Sequence, residues 1–195
     1  MAAATLLVLI IASSAIGLSS RKFLEWALLR PYLIARGSGY PGLLVSGFVH
    51  ADLGHLLFNL ITFYSFGFAL ERVIGTAQFV TLYLLGLLVS NLGTTFKHRN
   101  DPNYAALGAS GAILAVLFAS ILYFPRQRLF ILPLPIPIPA PLFAVAYLAL
   151  SYYWSRQAKG RINHDAHLGG ALTGLAFVAL TAPDRYPALL QSLMR

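Results

Sequence analysis

"LGASGAILAVLFAS", residues 107–120, sets a serine between two glycines at the head of an uncharged apolar run. Whether that run lies in lipid decides the fold, and composition answers the question. Of the 195 residues, 58% are hydrophobic and only 10% charged, with a mean hydropathy of +0.72. That is too little polar surface for a water-soluble globule of this size, so the sequence reads as an all-α polytopic membrane protein. The absence of cysteine removes disulfides, thiolate metal sites and cysteine nucleophiles. Lys+Arg number 14 against 6 Asp+Glu, a net charge of +8. Because the basic residues fall in short segments between apolar runs, they are read as meeting lipid headgroups rather than nucleic acid.

A hydrocarbon core of roughly 30 Å takes about 20 helical residues to cross. Six segments approach that length, at about 1–20, 50–70, 76–96, 105–124, 139–155 and 167–182. The expected architecture is a compact six-helix bundle forming one membrane domain over 1–195. No basic residue precedes the first apolar run, which is therefore taken as a retained helix. "RKFLEWALLRPYLIARGSGYPG" (21–42) mixes charge, aromatics, Gly and Pro, and predicts an interfacial loop with a short amphipathic helix. In "LPLPIPIPAP" (132–141), Pro133, Pro135, Pro137, Pro139 and Pro141 remove five N–H groups, so an extended interfacial segment is expected before the fifth helix.

Alternate spans run antiparallel, so the second, fourth and sixth start at the same face. Their heads carry the conspicuous polar residues: His50, His55 and Asn59, then Ser110, then His164 and His167. Polar groups inside lipid are costly and face a protein interior or a wet cavity, so three clusters at one depth predict one shared site. Ser110 falls in the first turn of its helix, where free backbone N–H groups and the helix dipole favour a developing oxyanion. The same serine also fits an N-cap or a small packing residue. His55 and Asn59 are one turn apart and share a face, offering two donors to one small volume; polar glue between helices is the alternative. His50 lies off that face and reads as a structural residue or loop anchor.

His167 is followed by Gly170 and Gly174, a G-x-x-x-G ridge that suits the Gly111-x-x-x-Ala115 ridge of span four. If the ridges meet, Ser110 and His167 approach, and a neutral imidazole can take the serine proton and return it to a leaving amine. His164 is the competing base. A zinc site drawing on His50, Asp52, His55, His164, Asp165 and His167 is a further alternative.

H-x-x-x-x-H-x-x-x-N at His50, His55 and Asn59, G-x-S-G at Gly108 to Gly111, "HDAHLGG" around His167 and Glu71-x-x-x-Gly75 together resemble the rhomboid intramembrane serine proteases. The likeness runs through all six spans in order. It implies Ser110 as nucleophile, His167 as general base without a third carboxylate, and an oxyanion hole of His55, Asn59 and the Ser110 backbone. His50, Gly108, Gly111 and Gly170 would support these groups. The implied reaction is hydrolysis of peptide bonds in or near transmembrane segments of membrane-protein substrates, with no cofactor and no metal. A bacterial cell membrane, with the site opening to the extracytoplasmic side, is the expected location. Two positions depart from the pattern: Pro41 and Gly42 replace a common Trp-Arg pair, and Leu114 stands where an aromatic often packs on the imidazole. A non-catalytic relative that binds membrane helices and a polytopic transporter are the alternative functions; a transporter fits less well because acids and bases are scarce within the spans.

Overall fold

The computed structural model describes residues 1–131, 134–157 and 163–193. Its helices are α1 (Ala2–Ser19), α2 (Arg21–Ala27), α3 (Pro31–Ile34), α4 (Gly42–Val45), α5 (Leu53–Ile74), α6 (Thr76–His98), α7 (Ser110–Tyr123), α8 (Ala140–Gln157), α9 (His164–Thr181) and α10 (Arg185–Leu193). A 3₁₀ turn (Ser46–Phe48) follows α4, and strands β1 (Arg128–Ile131) and β2 (Leu134–Pro139) lie between α7 and α8. Among the described residues three helices, α1, α5 and α6, are long and apolar enough to cross a membrane, and α9 with α10 makes a fourth if that pair, bent by 113°, is one span. The chain is thus a multi-pass helical membrane protein.

α7 is the axis of the bundle. Its sequence is apolar on every side, and all residues from Gly111 to Leu122 are buried, as expected of a helix with no polar face. Small residues let its neighbours approach closely. A Cβ added at Gly86 on α6 would stand 2.5 Å from the Ala115 side chain, one at Gly170 2.0 Å from the Gly111 carbonyl oxygen, and one at Gly174 2.3 Å from the Ala115 carbonyl oxygen. The α7 and α9 ridges expected from the sequence therefore touch backbone to backbone.

With 14 residues, α7 spans about 21 Å, short of the roughly 30 Å hydrocarbon thickness. A helix this short leaves irregular chain within the hydrocarbon, where its backbone must find protein partners. Leu29 and Ala106 exchange both backbone hydrogen bonds, at 3.0 and 3.1 Å, and Gly108 N–H donates to the Ser46 carbonyl at 2.8 Å. The Ala109 N–H donates to His50 Nε2 at 3.3 Å. These bonds, together with a φ of +127° at Gly108, hold 105–109 out of the helix that the sequence suggested there.

Side-chain caps fix the other two heads. Asp52 accepts from the His55 N–H at 2.8 Å and starts α5 at Leu53 rather than at His50. Asn163 accepts from the Ala166 N–H at 3.0 Å and starts α9 at His164, three residues ahead of the expected point. At the opposite end, buried Glu71 on α5 receives the Ala2 N–H at 2.7 Å, the Ala3 N–H at 2.9 Å and the Thr76 hydroxyl at 2.8 Å. A carboxylate there meets the positive end of the α1 dipole and binds that helix to α5.

The segment between α1 and α5 contains three short helices, α2, α3 and α4, where its mixed composition suggested a loop with one. Gly42 is needed there because a Cβ would lie 2.4 Å from the Leu28 carbonyl oxygen. The proline-rich stretch forms half of an antiparallel hairpin, Leu129 opposite Ile138 and Phe130 opposite Pro137. Backbone N–H groups alternate sides along a strand, so Pro135, Pro137 and Pro139 strip donors from one edge only and leave the other to pair. Pro133 lies outside the described residues.

Candidate active site

The heads of α5, α7 and α9 come together at one end of the bundle. Ser110 is the first residue of α7 and Ala109 occupies the cap position without a side-chain cap bond, so the serine hydroxyl is not used in capping. It lies 2.9 Å from His167 Nε2. The first α7 ladder bond is Ile113 N–H to the Ala109 carbonyl, which leaves the Ser110, Gly111 and Ala112 amides ahead of the ladder.

His167 is fixed on its far side by a residue the sequence reading did not single out. The Tyr147 hydroxyl, on α8, lies 2.9 Å from His167 Nδ1. The two rings are inclined by 27° with centroids 6.3 Å apart. The imidazole thus receives an aromatic neighbour from α8, where Leu114 on α7 supplies none. The only signal for this in the sequence was a phenol in the middle of an apolar helix, one turn from Phe143.

His50 sits in the loop ahead of α5. It is fully buried and joins three elements: Nδ1 lies 3.0 Å from the Ser14 hydroxyl, and Nε2 receives the Asn59 amide at 3.0 Å and the Ala109 N–H at 3.3 Å. Two donors on Nε2 require that nitrogen to be bare, so the ring is neutral with its proton on Nδ1, directed at Ser14. Burial, followed by repulsion from His55, pushes the His50 pKa down to about 4, against an opposing pull from Asp52. The second Asn59 N–H goes to the His55 carbonyl at 3.1 Å. Both amide protons are therefore committed, unlike the free donor pair the spacing suggested. The His55 ring meets His50 edge-on at 4.9 Å and borders Gly108, where a Cβ would strike it at 2.5 Å.

His164 opens α9 with its ring 5.9 Å from that of His167, and its buried Nδ1 has no hydrogen-bond partner among the described residues; no bond joins it to Ser110. The α9 head is also fastened to α6. Asp165 accepts from Lys97 Nζ at 2.7 Å and lies 3.1 Å from His98 Nε2, while Asn163 donates to the Thr94 hydroxyl at 3.1 Å. Among the described residues no group of three or more His, Asp or Glu side chains converges as metal ligands. A cleft of about 250 Å³ opens over Ser110 and His167, bordered by His55, Asn59 and Tyr147 and walled by apolar residues including Phe58, Leu114 and Phe143.

This arrangement has the parts for nucleophilic acyl transfer: a hydroxyl on an imidazole, unpaired amides at a helix head, and an apolar cleft above them. Comparison with known proteins agrees with the fold. The Rhomboid domain family matches residues 38–184. RHOMBOID-like protein 12, mitochondrial, of Arabidopsis thaliana is 29% identical over 182 residues, 84% of this chain and 54% of that protein. The human Presenilin-associated rhomboid-like protein, mitochondrial, is 34% identical over 146 residues, 70% of this chain and 36% of that protein. Rhomboid protein 1, mitochondrial, of Saccharomyces cerevisiae is 27% identical over 168 residues, covering 78% and 46%. The chain thus spans about half or less of the length of these relatives. Their names also correct the expected location: they point to a mitochondrial rather than a bacterial membrane, a distinction for which the sequence offered only the family's general pattern. From the Rhomboid domain matched over residues 38–184 and the relatives at 34% identity, the chain belongs to the rhomboid family.

Proposed function

We propose that the protein is an intramembrane serine endopeptidase working through a Ser110–His167 dyad. The observation that carries this reading is the 2.9 Å approach of Ser110 Oγ to His167 Nε2 at the head of α7. Ser110 Oγ attacks the scissile carbonyl carbon as His167 Nε2 takes its proton. The carbonyl becomes an oxyanion facing the Ser110 N–H and the His55 ring, and the α7 dipole favours that charge. Collapse breaks the C–N bond, and His167 gives its proton to the departing amine. Water, deprotonated by the same imidazole, then hydrolyses the acyl ester and restores Ser110. Asn59 acts mainly by orienting His50, and donates to the oxyanion only by giving up the His55 carbonyl.

The substrate is a membrane protein whose transmembrane helix loosens near the cut, because a helical carbonyl is shielded by its own hydrogen bond. The apolar walls of the cleft suit such a segment once extended. The test is cleavage of a model transmembrane substrate by the purified protein in liposomes. Ser110→Ala and His167→Ala should each abolish cleavage while the melting temperature holds; cleavage surviving in either variant would refute the dyad.

A further inference from the structure

We infer that Tyr147 is a positioning residue for the reaction, setting the proton on His167 so that Nε2 stands bare toward Ser110. The inference rests on the dyad proposed above and concerns a residue of a different helix.

A neutral imidazole carries a single N–H. If it lies on Nε2, it points at Ser110 and the ring cannot take the serine proton; a working base needs it on Nδ1. An Nδ1–H so placed requires an acceptor, and the phenol oxygen of Tyr147 stands 2.9 Å from that nitrogen. A phenol is both donor and acceptor, so its oxygen can take Nδ1–H while Nε2 faces the Ser110 hydroxyl at 2.9 Å. The chain of donors then runs Ser110 to His167 to Tyr147.

No carboxylate competes for this task at the α9 head, since Asp165 is engaged by Lys97 and His98. As His167 accepts the serine proton, its Nδ1–H becomes part of a cation and its bond to the phenol oxygen strengthens. The contact therefore grows toward the transition state, which is where a contact accelerates the reaction. Packing alone makes a different demand: it needs the ring and not the oxygen.

Tyr147→Phe separates the two roles. The expected result is a fall in kcat of about 10- to 100-fold, the range of a hydrogen bond to a charged partner, with KM nearly unchanged. In ¹⁵N-histidine spectra, His167 should carry its proton on Nδ1 in the wild type and shift toward Nε2 in Tyr147→Phe. If Tyr147→Phe folds poorly, the wild-type spectrum still decides, since a His167 proton resting on Nε2 would refute the placement. Wild-type kcat in Tyr147→Phe, or a His167 spectrum unmoved in it, would overturn the inference. Ser110→Ala run alongside distinguishes the levels: activity persisting there refutes the dyad itself, whereas an inactive Ser110→Ala beside a fully active Tyr147→Phe refutes only the role of Tyr147.

Discussion

Replacing Gly170 with alanine should pull apart Ser110 and His167 without altering either. The added Cβ would lie 2.0 Å from the Gly111 carbonyl oxygen, 2.8 Å from its carbonyl carbon and 3.0 Å from its Cα. All three are backbone atoms, so no side chain can swing aside. Ordinary contact is near 3.4 Å, leaving a deficit of about 1.4 Å that α9 must make up by retreating from α7. Gly111 follows Ser110 directly, and Gly170 is one turn from His167, so the retreat falls on the 2.9 Å dyad contact. Taken along that contact, it exceeds hydrogen-bonding range. A misplacement of about 1 Å is worth on the order of 100-fold in rate, and overpacking costs about 1–3 kcal/mol of stability. Cleavage of a reconstituted transmembrane substrate, paired with thermal unfolding, measures both. Gly93→Ala is the control, because nothing lies within 4 Å of its added Cβ; it should keep full activity and gain roughly 0.5–1 kcal/mol from helix propensity. Wild-type kcat and melting temperature in Gly170→Ala would refute the close-contact argument.

Three other outcomes follow from the same geometry. Glu71→Ala should lower stability by about 3 kcal/mol, since it strands the Ala2 and Ala3 amides that the carboxylate holds, and an unchanged melting temperature would deny that α1 is capped this way. For His50, lowered to about 4 from 6.5, the folded state binds fewer protons than the unfolded between those values. Stability is therefore full above pH 6.5 and lost as pH falls toward 4, by about 3 kcal/mol in all; a melting temperature flat across that window would contradict the buried neutral ring. His55→Ala should cost about 100-fold or more in kcat and keep the melting temperature, whereas Asn59→Ala should lower both, because it also removes a partner of His50.

The features legible in the sequence were those with a short period or a fixed motif. The Gly170-x-x-x-Gly174 and Gly111-x-x-x-Ala115 ridges announced the α7–α9 contact because only small residues permit backbones to touch. Parallel heads placed Ser110 near His167 for the same reason. The proline run excluded a helix, although spacing alone did not reveal β1 as the partner of β2. What stayed hidden depended on long-range orientation. The Tyr147 hydroxyl reaches His167 from α8, and Ser14 reaches His50 from α1; no local pattern links such pairs. Helical spacing put Asn59 on the His55 face but could not show that His50 and the His55 carbonyl would claim both its amide protons. The helix heads shifted by a few residues because Asp52, Asn163 and the φ of Gly108 set them.

The central claim, that His167 activates Ser110 as a nucleophile, is tested most directly by covalent capture. The protein in liposomes would be treated with a fluorophosphonate and the modified residue located by peptide mass mapping. A single adduct, on Ser110, is expected in the wild type, with a loss of labelling in folded His167→Ala. Labelling of Ser110 at an undiminished rate in His167→Ala, or an adduct on another residue, would contradict it.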